Sequence, residues 1–171
     1  IYADQNYGSK FNSGSIEFEN VNVGQNAIEV KNLNASGNIT FKGIDENNKA
    51  TFGSYRLFDF ENSGSDMINI DGDVIIENVN GTFTGSTLAS AFWSNGNGTN
   101  SGNFSAENIK VKNLDMSSNG ETYAVRFSNN VKVEIDNVFV ENVNFTSTAS
   151  VNEHAGIYFG TVETDKKITS L

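Results

Sequence analysis

The chain has 171 residues, 37% of them hydrophobic with 13 Phe, and it carries no Cys, no Pro and a net charge of −10. That composition supports a packed core and excludes disulfide staples, cysteine metal sites and a disordered tail. The acidic balance, with Arg56 and Arg126 as the only arginines, argues against nucleic acid or an anionic membrane as partner. No apolar run approaches the length of a membrane-spanning helix.

Asparagine stands out, at 27 of 171 residues. Taken in chain order, the predicted strands show where it goes. Ile16-Glu17-Phe18-Glu19-Asn20 alternates apolar with polar residues and ends on Asn. Ala27-Ile28-Glu29-Val30-Lys31-Asn32 does the same, and Ile39-Thr40-Phe41-Lys42-Gly43 returns to the first pattern with Gly at its end. Leu57-Phe58-Asp59-Phe60-Glu61-Asn62 and Val74-Ile75-Ile76-Glu77-Asn78 follow. Ser90-Ala91-Phe92-Trp93-Ser94-Asn95 and Ile109-Lys110-Val111-Lys112-Asn113 come next. Ala124-Val125-Arg126-Phe127-Ser128-Asn129, Val138-Phe139-Val140-Glu141-Asn142 and Ala155-Gly156-Ile157-Tyr158-Phe159-Gly160 complete the series. Two motifs therefore interleave, each returning after about 30–35 residues in most copies. The alternation, clearest in the copies at 27–32, 57–62 and 124–129, is strand periodicity, and no segment carries a helical apolar stripe of useful length.

Two out-of-phase strand motifs with one shared period predict an all-β chain, a right-handed parallel β-helix of about five coils. A β-sandwich with Asn/Gly turns does not predict two aligned corner columns. Stacking coils about 4.8 Å apart puts equivalent residues over one another. One inward column is then Val30, Phe60, Trp93, Phe127 and Tyr158, and the other is Phe18, Phe41, Ile76, Val111 and Val140. Glu29, Asp59, Phe92 and Arg126 are expected to face outward. The corner columns are Asn32, Asn62, Asn95, Asn129 and Gly160, and Asn20, Gly43, Asn78, Asn113 and Asn142. Asn and Gly tolerate the left-handed backbone of a sharp corner, and stacked Asn amides bond along the ladder.

Residues 1–171 read as a single segment of β-helix. Neither residues 1–14 nor residues 161–171 read as an amphipathic cap, which points to a fragment of a longer solenoid with open ends suited to self-association. Residues 95–103 read as a flexible polar loop, with further loops at 45–55 and 63–73.

Chemistry-bearing motifs are scarce. His154 is the only histidine and Glu153 beside it points to the opposite face of a strand. Asp66, Asp71, Asp73 and Glu77 cluster, and Asp71-Gly72-Asp73 offers alternate oxygen ligands for a weak calcium site without EF-hand spacing. Six Asn-X-Ser/Thr sequons, at Asn34, Asn38, Asn80, Asn97, Asn103 and Asn144, are no more than this composition yields by chance. No catalytic, cofactor-binding or metal residue is assigned. The expected binding surface is Phe92 with Asn95, Asn97, Asn100 and Asn103.

In its coil-long repeats and Asn-Val/Leu-Asn corners, such as Asn20-Val21-Asn22 and Asn142-Val143-Asn144, the chain resembles the passengers of type V secretion, the bacterial autotransporter adhesins and vacuolating-cytotoxin-like toxins. The resemblance implies a stalk and binding scaffold on the cell surface or released from it, with a host-cell receptor or glycan as partner. It also suits a chain without Cys, which threads a pore unhindered. The enzyme alternative is a carbohydrate-active β-helix acting on acidic polysaccharide. Without Pro the chain lacks the Arg-X-Pro-X-X-Arg pattern of pectate lyases. Asp71-Gly72-Asp73 and His154-Ala155 do not match the Asp-Asp and His-Gly elements of polygalacturonases. A purely structural fibre or surface-layer solenoid is the third class.

Overall fold

The computed structural model describes residues 1–3, 10–62, 67–85, 88–96, 102–128, 131–147, 153–160 and 167–170. Among them every regular element is a strand. The first coil carries β1 (Tyr2–Ala3), β2 (Phe11–Ser13), β3 (Ile16–Glu19) and β4 (Asn22–Val23). The second carries β5 (Ile28–Val30), β6 (Leu33–Ala35), β7 (Ile39–Lys42) and β8 (Ala50–Phe52). In the next, β9 (Arg56–Asn62), β10 (Met67–Ile70) and β11 (Val74–Phe83) show strands beginning to merge across corners. Merging is complete in β12 (Ala89–Gly96) with β13 (Asn103–Ser118), and in β14 (Thr122–Ser128) with β15 (Lys132–Ser147). β16 (His154–Phe159) and β17 (Lys167–Ser170) follow.

All pairings are parallel. β1, β5, β9, β12, β14 and β16 stack as a first face of six rungs, and the other strands form a second sheet that bends at two corners. The chain is thus a parallel β-helix, as its repeats predict. The column Phe18, Phe41, Ile76, Val111 and Val140 stacks rung on rung. Asn20, Asn78, Asn113 and Asn142 are the only non-glycine residues with positive φ among those described, all at 51° to 54°. Their corner is therefore the left-handed turn that the sequence predicts. Gly43 fills the same position without the left-handed backbone expected there, and for a different reason: a Cβ there would lie 2.5 Å from the Ala50 N and Asn78 O atoms. In that coil alone the segment 44–49 folds back onto the corner, with Asp45 Oδ1 accepting from the Asn47 and Asn48 N–H groups at 2.8 and 2.9 Å.

The amide ladder is present too. Asn142 Nδ2 donates to Asn113 Oδ1 at 3.1 Å, and Asn113 Nδ2 to Asn78 Oδ1 at 2.8 Å. The other bend of the same sheet carries a second ladder, in which Asn137 donates to Asn108 and Asn108 to Asp73. Asn38 Oδ1 accepts the Asp73 N–H.

The first face corrects two expectations. Its corner column has no left-handed residue at Asn32, Asn62 or Asn95; Asn129 lies outside the described residues. Its register also shifts by one residue at two rungs. Phe60 pairs with Ser94, Ser94 with Phe127, and Phe127 with Phe159. Trp93 and Tyr158 are thus absent from the inward column and lie instead in the column Glu29–Asp59–Trp93–Arg126–Tyr158. Phe92, expected outside, is fully buried. The physical reason is a break in alternation. Four of the six rungs bury two consecutive apolar residues, Ala27-Ile28, Leu57-Phe58, Ala91-Phe92 and Ala124-Val125, so a strict two-residue period loses its phase. Core volume fixes the true register. Ser94 is small where its column neighbours are Phe, and Phe104 from the opposite sheet packs against Phe60, Phe92 and Phe127 at ring separations of 5.8, 5.2 and 5.7 Å.

Candidate functional site

The outer side of the first face holds both arginines and the single tryptophan of the chain. Arg56 Nη1 lies 2.6 Å from Asp59 Oδ2 and 3.5 Å from Glu61 Oε1, and its guanidinium lies over the Trp93 and Tyr55 rings. Two rungs on, Arg126 sits among three rings, 4.9 Å from the centroids of Tyr123 and Tyr158 and 5.4 Å from that of Trp93. Tyr123 and Tyr158 are 5.0 Å apart. Trp93 Nε1 donates to Ser128 Oγ at 2.8 Å, and Ser128 Oγ donates to Asn95 Oδ1 at 3.0 Å. Cation and ring therefore alternate across the rungs, an arrangement that strengthens as water is excluded.

Polar atoms on this face are under-satisfied. Seven buried side-chain atoms among the described residues have no hydrogen-bond partner, and five belong here: Arg56 Nε, Asp59 Oδ1, Ser90 Oγ and the Nε and Nη1 of Arg126. Each costs about 1–3 kcal/mol, and such a concentration in one place calls for an explanation beyond packing. Burial pushes the Asp59 carboxyl up to about 6 against the opposing pull of Arg56. It also raises the Tyr123 hydroxyl, which donates to Glu121 Oε2 at 3.1 Å.

The residues expected from sequence to bind are scattered. Phe92 is in the core, in contact with Phe60, Phe104 and Phe127, so it offers no surface. Asn95 lies at the edge of the arginine–aromatic face. Asn103 is exposed and lines a groove of about 310 Å³ on the bent sheet with Met67, Ser105, Lys132 and Glu134. Asn97 and Asn100 fall outside the described residues. The sequence missed Arg56, Trp93, Arg126 and Tyr158 as a group because the register slip put Trp93 and Tyr158 inside. Moving those two copies by one residue brings all four to the outer side.

Other candidates are weaker. Asp73 is taken up by Lys110 at 2.5 Å and by Asn108, while Asp71 accepts from Asn69 at 2.9 Å. The two carboxylates thus serve separate partners, and no cluster able to hold a metal ion exists among the described residues. The exposed His154 ring stacks on Phe145 at 6.0 Å. A polar groove of about 480 Å³ runs beside Asp71, Glu107, Glu134 and Asp136. Another, of about 380 Å³, lies between the 44–49 segment and Asn113, Asp115, Asn142 and Asn144, where Lys49 pairs with Asp115 at 2.6 Å.

No family model, no curated protein and no solved structure matches this chain.

Proposed function

We propose that the chain is a stalk and binding scaffold, the β-helical part of a bacterial cell-surface or secreted passenger that holds a glycan or host-cell receptor against its first face. One observation carries the reading: arginine and aromatic side chains gather on the outer side of a rigid sheet whose inner side is a phenylalanine core. Aromatic rings and arginine are the side chains that dominate binding surfaces, because they offer large contact area with a polar or charged handle. A face built on stacked strands holds them in fixed positions and lowers the entropic cost of binding. A composition without Cys and the resemblance to autotransporter passengers support export. The function is binding without turnover.

The experiment is saturable binding of the purified chain to host-cell surfaces and immobilised glycans. The expected result is retention that falls when Trp93 and Tyr158 are replaced together by Ala, and is unchanged by replacing the exposed Phe139 on the bent sheet. Binding lost only on deletion of 95–103 would move the contact surface to that loop. Absence of binding to any cell or glycan overturns the reading.

A further inference from the structure

We infer that Arg126 and the rings around it form a subsite for the carboxylate of an acidic saccharide, an inference that rests on the scaffold reading above. The two arginines of the face differ in one respect. Arg56 has Asp59 and Glu61; Arg126 has no carboxylate and no hydrogen bond among the described residues, only ring contacts. A guanidinium partly removed from water is costly unless paired. Rings compensate for part of that cost, and an incoming carboxylate supplies the rest through a charge-assisted bond. Nε and Nη1 are covered, which leaves Nη2 as the donor that meets a ligand.

The surroundings specify more than an anion. Trp93 and Tyr158 are half-buried neighbours of Arg126 in the same outer column, so each keeps ring surface in reach of a flat apolar partner. Asn95, held by the buried Ser128 hydroxyl, adds a polar side chain on the adjoining outer column. A simple carboxylate lacks the apolar face, and a neutral sugar lacks the charge; an acidic sugar ring carries both with its hydroxyls. A dense polyanion is disfavoured by the chain's net charge of −10 and by Glu121 near Tyr123. The subsite therefore takes one carboxylate at a time.

The test measures binding of a galacturonate oligosaccharide and of its carboxyl-reduced counterpart to the intact chain, by calorimetry and by Trp93 fluorescence. The acidic sugar should bind at least about ten-fold tighter than the reduced one. Arg126→Gln should erase that difference, and Arg126→Lys should retain part of it. The comparison of two sugars on the unaltered chain needs no variant, so a misfolded Gln substitution does not protect the inference. Equal affinity for the two sugars overturns it, as does an undiminished preference in Arg126→Gln. If cells or other glycans bind while carboxyl reduction has no effect, the subsite fails and the scaffold reading stands. If nothing binds, both fail.

Discussion

The bent sheet and the first face handle polar side chains in different ways. On the bent sheet Asn142, Asn113 and Asn78 pass one amide hydrogen bond to the next, and at the other bend Asn137 donates to Asn108 and Asn108 to the Asp73 carboxylate. On the first face the column Glu29–Asp59–Trp93–Arg126–Tyr158 passes from two carboxylates to ring, cation and ring. Most of the partnerless buried atoms collect around it. A repeated amide satisfies itself in both directions along the stack. A mixed column does not, and it leaves polar atoms that only a partner from outside the stack can satisfy.

The sharpest way to break this comparison is a pair of neighbours. Phe92→Ala should cost about 3–5 kcal/mol in urea denaturation, because it empties part of the aromatic core. Trp93→Ala should cost about 1–2 kcal/mol, the scale of its cation contacts. Equal losses would return Trp93 to the interior and dissolve the distinction between the two sides of the face.

Next comes pH. The folded Asp59 carboxyl is raised to about 6, whereas an unfolded Asp titrates near 3.9. Between about pH 4 and 6 the folded chain holds the extra proton at Asp59, so the contribution of this one group is fully present below that window and is lost as pH rises through it. The contribution is about 3 kcal/mol, and Asp59→Asn should flatten that limb of the stability profile. A slope that survives in the variant assigns it to other groups.

The corners give the smaller effects. Asn113→Ala should cost about 2 kcal/mol from left-handed strain and lost ladder bonds. Asn113→Gly should cost less, since only the ladder is lost. Asn32→Ala, at a corner without left-handed backbone, should stay within about 0.5 kcal/mol. Equal penalties for Asn113→Ala and Asn113→Gly would remove backbone strain as the reason for asparagine there.

Legibility in the sequence follows the same division. The Phe18–Phe41–Ile76–Val111–Val140 column and its four left-handed asparagines were readable because the column keeps a constant distance of two residues from its turn and asparagine occupies four of the five turns. The first face misled because Ala91-Phe92 are both buried and Ser94 takes an inward place that Trp93 imitates by hydrophobicity. Only the volume of Phe104, which arrives from another part of the coil, decides between the two registers. No local pattern carries that information. The ladder through Asp73, Asn108 and Asn137 went unread for a related reason: its members follow no single residue type, and Asp73 resembles a metal ligand until Lys110 is seen beside it.

The rung-to-rung amide bonds have a mechanical consequence. They run along the helix axis, as do the backbone bonds between parallel strands, so a pull applied between the two ends of the stack loads the amide and backbone bonds together. Each rung is held only by its neighbours, and yielding should start at a terminal rung and advance by peeling. The asparagine ladders add resistance at the bends, where a coil would otherwise begin to open. A sideways load meets the interlocked phenylalanines first. A stack of this kind should resist bending and give way in steps when stretched.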